Sequence, residues 1–230
     1  MIELDKKKMH NSCVQLSIIA DQFDRQFEKH VAAAKAATVS KRYTRGGLIL
    51  PRGYFCPSPI LDLVVGGGNR GRLVKNPDKY DPKEITTFWF DQDDQLTLVE
   101  RPWKERELVV REGDIEIGIL RDIDGYLIMV SRCIYHSGEI ISYERGMCNI
   151  SKKVSALDKE EYSYDESGLS TSTWFRYDDD VNIIGRTIYQ FDHSPDGMLS
   201  KYRVIDRKTD FINNNAWEGH DFIITKRRKV

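Results

Sequence analysis

Tyr162-Ser163-Tyr164-Asp165-Glu166-Ser167-Gly168-Leu169, then Tyr177-Asp178-Asp179-Asp180, then Tyr189-Gln190-Phe191-Asp192-His193-Ser194-Pro195-Asp196-Gly197-Met198-Leu199: one aromatic-Asp step recurs three times along this chain. Each copy ends a β-prone run with a side-chain acceptor, and in the first and third a Gly follows that tolerates positive φ, the chemistry of a tight strand reversal. The residues opening the turns, 165, 178 and 192, are 13 and 14 apart, which is one strand of about eight residues plus its turn. Successive turns therefore fall at opposite ends of one antiparallel sheet.

The same pattern extends backwards. From Ile85 onward, short β-prone runs are separated by Asp-Ile-Asp-Gly125, His-Ser-Gly138, Asp-Glu-Ser-Gly168 and Ser-Pro-Asp-Gly197. Strands are expected at 85–90, 95–100, 115–120, 126–135, 139–145, 160–164, 169–177, 183–191, 198–205 and 220–225. Runs such as 126–130 and the pair Trp174-Phe175 place apolar groups on both sheet faces, so the central strands require cover on both sides. Met9, Cys13, Leu16, Ile19, Phe23, Phe27, Val31 and Ala34 recur at steps of three and four, and this stripe predicts an amphipathic helix over about 5–38 that supplies one cover. Gly and Pro punctuate 41–84 too densely for a long helix, with short strands expected at 48–50 and 60–65. The expected fold is α+β: a long N-terminal amphipathic helix (1–40), a Gly/Pro-rich connector with short strands (41–84), and a twisted antiparallel β-meander of about 8–10 strands (85–230), together forming one domain.

Composition narrows the chemistry. The chain has 230 residues, of which 40% are apolar, enough for a real core, and 35 Lys and Arg nearly balance 36 Asp and Glu. The charge is unevenly spread: residues 1–52 carry a net +5 and residues 157–196 a net −7. Lys6, Lys7 and Lys8 precede an apolar stretch that is short, contains Gln15 and Ser17 and runs into Asp21, so it reads as helix rather than leader. Cys13, Cys56, Cys133 and Cys148 show neither disulfide-framework nor zinc spacing, which points to a reducing cytoplasm, and no segment approaches the roughly 18–20 apolar residues of a membrane span, so no membrane is expected.

Motifs for catalysis fail their tests. Asp178-Asp179-Asp180-Val181-Asn182 starts like a calcium loop, but the positions needing Gly and Glu hold Ile183 and Tyr189. The glycine loop 66–71, with Arg70 and Arg72 beside it, lacks the Lys-Ser/Thr and the helix of a phosphate cradle. No serine sits in a nucleophile elbow, and His136 and His193 read as polar turn residues. The basic patches at 41–45, 70–72 and 226–229 are widely separated and carry no single-strand-binding aromatic motif, so nucleic acid is not the expected partner. No catalytic residue, metal or cofactor is assigned.

The Tyr-x-Tyr-Asp-x-x-Gly168-Leu169 and Tyr189-x-Phe-Asp192 units, closed by Gly197-Met198-Leu199, resemble the YD repeats of bacterial Rhs proteins over about a third of the chain, although the repeat here is shorter. Meander proteins with such hairpins include immunity proteins of polymorphic toxin systems. The resemblance implies the immunity type, and with no catalytic constellation and a net −7 over 157–196 the expected function is a non-enzymatic antitoxin that occludes a cognate basic toxin domain. The expected partner-binding residues are Asp165, Glu166, Asp178, Asp179, Asp180, Asp192 and Asp196, with Trp174 as an aromatic anchor alongside Phe175 and Tyr177. Two alternatives stand beside it: an enzyme or small-ligand protein with a Tyr/Trp/Arg-lined pocket in a curled sheet, and a structural subunit docking through its N-terminal helix.

Overall fold

The computed structural model describes residues 2–47, 51–60, 70–209 and 221–223. The strand expected at 48–50, the strand expected at 60–65 beyond Ile60, most of the glycine loop and the basic tail lie outside the described residues.

The apolar stripe does form helix, but as two pieces, α1 (Ile2–Asp24) and α2 (Phe27–Ala37). The single helix expected over 5–38 breaks at Arg25 and Gln26, because the two halves serve different parts of the sheet. Asp24 at the end of α1 pairs with Arg121 and Lys152, whereas Glu28 in the first turn of α2 pairs with Arg106 at 2.6 Å. The break turns Phe27 and Val31 inward, joining Met9, Cys13, Leu16 and Ala20 in one buried cluster.

Thirteen strands among the described residues make one open antiparallel sheet. They are β1 (Ser40–Arg45), β2 (Arg72–Val74), β3 (Ile85–Phe90), β4 (Leu96–Glu100), β5 (Arg106–Glu112), β6 (Ile115–Arg121), β7 (Leu127–His136), β8 (Glu139–Cys148), β9 (Val154–Asp165), β10 (Gly168–Asp178), β11 (Ile183–His193), β12 (Leu199–Thr209) and β13 (Asp221–Ile223). From β3 to β13 each strand pairs with the next in sequence, the plain meander that the repeated turns predict, and β1 lies between β3 and β2. The α+β reading therefore holds, with more strands than expected. β5 is the interior strand that the pattern concealed, and β1 and β2 put part of the connector into the same sheet.

Both faces are covered. Leu98, Leu108, Ile119, Leu157 and Phe175 pack under the helices, and burial of each such side chain contributes about 1.5–3 kcal/mol. The second face carries Tyr143, Tyr162, Leu169, Tyr189, Phe191 and Leu199, joined by Cys56 and Ile60 from the segment 51–60. That segment is held down by charge: Arg52, 1% exposed with φ 57°, donates its backbone N–H to Glu107 at 2.6 Å and its guanidinium to Glu116 and Ser131.

Candidate functional site

An antiparallel meander sorts its turns by parity. The turns 91–95, 113–114, 137–138, 166–167 and 194–198 lie at one end of the sheet, and 101–105, 122–126, 149–153 and 179–182 at the other. The two ends differ in composition. Around the first set, residues 91–95, 112–114, 136–139, 165–168 and 192–198 hold Asp91, Asp93, Asp94, Glu112, Asp114, Glu139, Asp165, Glu166, Asp192 and Asp196, with no Lys or Arg among them. Successive turns are in contact here. The Tyr135 N–H donates to the Asp114 carbonyl at 2.8 Å, and a Cβ on Gly168 would stand 3.3 Å from Nε2 of His193. Nine strand spacings of about 4.8 Å give this acidic end a run of roughly 40 Å.

Several of these carboxylates build the turns they sit in. Oδ1 of Asp91 accepts the N–H groups of Asp93 and Gln95, and Oδ1 of Asp165 accepts that of Ser167. Such bonds use lone pairs and leave the negative charge in place. Among the described residues Arg42 pairs with Asp94 and Lys201 with Asp192 at 3.0 Å, and Arg111 at the end of β5 donates to the Gly113 carbonyl at 3.3 Å and to the Gln95 side chain at 3.1 Å.

At the opposite end every described turn carries a large apolar side chain exposed by 60% or more: Trp103, Ile123 with Tyr126, Ile150 and Val181. No described turn at the acidic end carries an exposed large apolar side chain.

The expected partner-binding residues are consequently divided. Asp165, Glu166, Asp192 and Asp196 share the acidic end, while Asp178, Asp179 and Asp180 sit across the length of β10, an 11-residue strand, at the apolar end. This follows the alternation of turns expected from the sequence, and about 33 Å of sheet separates the two groups. Asp178 accepts the N–H groups of Asp180 and Val181, and Asp179 lies 2.7 Å from Nδ1 of His10 on α1. Trp174 is no exposed anchor either. It is half-buried mid-strand against the second-face cluster, under the Arg176 guanidinium at 5.2 Å, while Phe175 and Tyr177 belong to the core beneath the helices. The sequence pattern alone assigns no site role to Asp91, Asp93, Asp94, Asp114 or Glu139. Strand parity joins them to Asp165 once β5 is counted.

The interior holds ionisable groups that answer one another. Glu144 accepts from Ser12 at 2.9 Å and pairs with Arg132 and Lys159 at 2.6 and 2.9 Å. Burial pushes its carboxyl up, but the two cations outweigh burial and hold it below the usual carboxylate range. On the second face Glu160 takes the Ser58 and Tyr162 hydroxyls and faces Arg145 at 3.0 Å. Burial raises the Cys13 and Cys133 thiols to about 12 and Cys148 to about 11, the opposite of an activated nucleophile. Among the described residues no group of three or more His, Cys, Asp or Glu is placed to hold a metal, and no helix is long and apolar enough to cross a membrane. His136 and His193 stand four strands apart, on β7 and β11. No family model matches this chain, and no curated protein matches it in sequence.

Proposed function

We propose that this chain is a non-enzymatic binding protein of the immunity type, working in the cytoplasm, which neutralises a toxin domain by presenting its acidic end to a basic surface. The observation that carries the reading is the sorting of ten carboxylates onto one end of the meander, where they outnumber the cations Arg42, Arg111 and Lys201 that reach it. A row of like charge on a rigid sheet steers and orients an oppositely charged partner without a deep pocket. The resemblance of the hairpins to YD repeats supports the same class of partner.

The experiment is co-expression with the toxin domain encoded beside this gene, followed by titration of the purified pair at low and high salt. Growth is rescued, and affinity falls steeply with salt. The combined variant Asp165→Asn, Glu166→Gln, Asp192→Asn and Asp196→Asn binds about 10-fold or more weaker, since each lost contact accounts for a fraction of the 1.4 kcal/mol that a decade represents. Asp178→Asn with Asp180→Asn, at the other end, leaves affinity unchanged. Absence of rescue, or equal effects of the two variants, sinks the proposal.

A second reading, a small-ligand protein, is favoured by one observation. On the second face the buried Tyr143 and Ser172 hydroxyls and Nε of Arg145 form no hydrogen bond among the described residues. A polar metabolite that raises the melting temperature of the wild type and not of Tyr143→Phe would support it over the toxin reading.

A further inference from the structure

We propose that the apolar end is a self-docking surface, closed in solution by a second copy of this chain about a two-fold axis between the turns 122–126 and 149–153. The proposal is independent of the acidic end and its partner. Its first basis is the row of apolar tips: Ile150 is fully exposed, Ile123 and Tyr126 are 60% and 71% exposed, and they belong to turns that neighbour one another at this end. Exposed apolar groups gathered on one edge of a protein mark a surface that another molecule covers.

The second basis identifies that molecule. Along the described turns the exposed charges alternate in sign: Lys104 in the first, Asp124 in the second, Lys153 with the Asp24-paired Lys152 in the third, Asp180 in the fourth. The central pair, one turn negative and the next positive, is complementary to its own reverse, so rotation by 180° sets the negative turn of each copy against the positive turn of the other. Isologous two-fold contact requires this self-complementarity. An anionic membrane would be repelled by the second and fourth turns, and a uniformly basic partner by the first and third. The acidic end cannot pair with itself, because every turn there is negative. Docking through the apolar ends leaves the two acidic ends facing outward.

The twist of the sheet, about 20° per strand, swings the outer turns aside, so the two central turns make the contact. The two turns stand two strand spacings, about 10 Å, apart, so the contact lies at or below the lower edge of stable interfaces, about 1,200 Å² over both copies. The dimer is therefore expected to dissociate in the micromolar range.

The test is sedimentation of the full chain from about 1 to 200 µM, a range that brackets such an affinity. The wild type passes from monomer to dimer across this range. Ile123→Ser with Ile150→Ser stays monomeric while its melting temperature is unchanged, because both side chains are already in water. Asp124→Lys alone and Lys153→Glu alone each weaken association about 10-fold, and the double variant recovers the wild-type value, since residue 124 of one copy faces 153 of the other. A wild type that is monomeric at the highest concentration overturns the proposal, whether or not it sediments with vesicles of anionic lipid or with the toxin domain. So does a double variant no tighter than the singles.

Discussion

Replacing Glu107 by Gln tests whether buried charge holds the segment 51–60 onto the sheet. Glu107 is 0% exposed; Oε2 accepts the Arg52 N–H at 2.6 Å and the Arg101 guanidinium at 3.1 Å, and Oε1 lies 3.9 Å from Nε of Arg52. Gln keeps the volume but leaves two buried guanidiniums short of one negative charge. Removing one member of a buried pair costs about 3–5 kcal/mol. Glu116 still faces Arg52 and Glu105 still faces Arg101, which sets the expectation near the lower figure, about 3 kcal/mol. For a chain of this size that is a fall of about 6–12 °C in Tm. Glu105→Gln is the control: its side chain is 21% exposed, and the loss should stay near 1 kcal/mol. Thermal melts of the three proteins, repeated as urea titrations, give the comparison. If Glu107→Gln melts within about 2 °C of the wild type, or no lower than the control, the segment is held by its apolar contacts and the charge argument is wrong.

Three further outcomes follow from the packing. Glu144→Gln should destabilise by about 3 kcal/mol at pH 7. Because the folded carboxyl titrates below its unfolded value, that stabilisation is complete above the ordinary carboxylate pKa and vanishes as pH falls through the depressed one. The gap between wild type and variant in urea should thus shrink below about pH 4, and a constant gap contradicts the assignment. Gly118→Ala sets a Cβ 2.5 Å from Oγ of Ser131 and 3.0 Å from Oε1 of Glu107, an overpacking worth about 1–3 kcal/mol in a chemical melt. Deleting residues 1–38 strips Met9, Leu16, Phe27 and Val31 from the core; at about 1.5–3 kcal/mol each, this exhausts a typical folding stability, and the remainder should show no cooperative melt. A folded remainder would return the N-terminal region to the role of a docking element.

The meander was legible because its turns declare themselves. Asp followed by Gly at 122–125, 165–168 and 196–197 fixes reversals whatever the strands contain, and β3, β7, β10 and β11 begin and end within two residues of their expected positions. β5 was not legible. Arg106-Glu107-Leu108-Val109-Val110-Arg111-Glu112 reads as a charged linker around three apolar residues, yet Glu107 is buried, and its charge is met by Arg101 from the preceding turn and by Arg52 from a distant part of the chain. A buried ion pair erases the polar-out, apolar-in alternation that marks a strand. The omission has a consequence for function. Dropping one strand inverts the parity of every earlier turn, so Asp91, Asp93 and Asp94 are moved from the end they share with Asp165 to the far one. The helix break at Arg25 and Gln26 was hidden for a related reason, since the stripe from Met9 to Val31 keeps its period through it while the ion pairs that redirect the chain are long-range.

Turn chemistry alone does not account for the acidic end. Oδ1 of Asp91 binds the N–H groups two and four residues on, and Oδ1 of Asp122 does the same with Asp124 and Tyr126. In the turn at 149–153 the identical pair of bonds, to Ser151 and Lys153, is accepted by the side chain of Asn149. Asn and Asp are therefore interchangeable as turn builders in this fold, and the charge on Asp91, Asp165 and Asp192 exceeds what strand reversal requires. Ten carboxylates held at one end repel one another, so removing charge there should not weaken the fold. Asp91→Asn and Asp165→Asn are expected to melt within about 0.5 kcal/mol of the wild type, or slightly above it at low salt. A loss of 2 kcal/mol or more would mean that the carboxylates are structural, and the case for the acidic end as a binding surface would lose its footing.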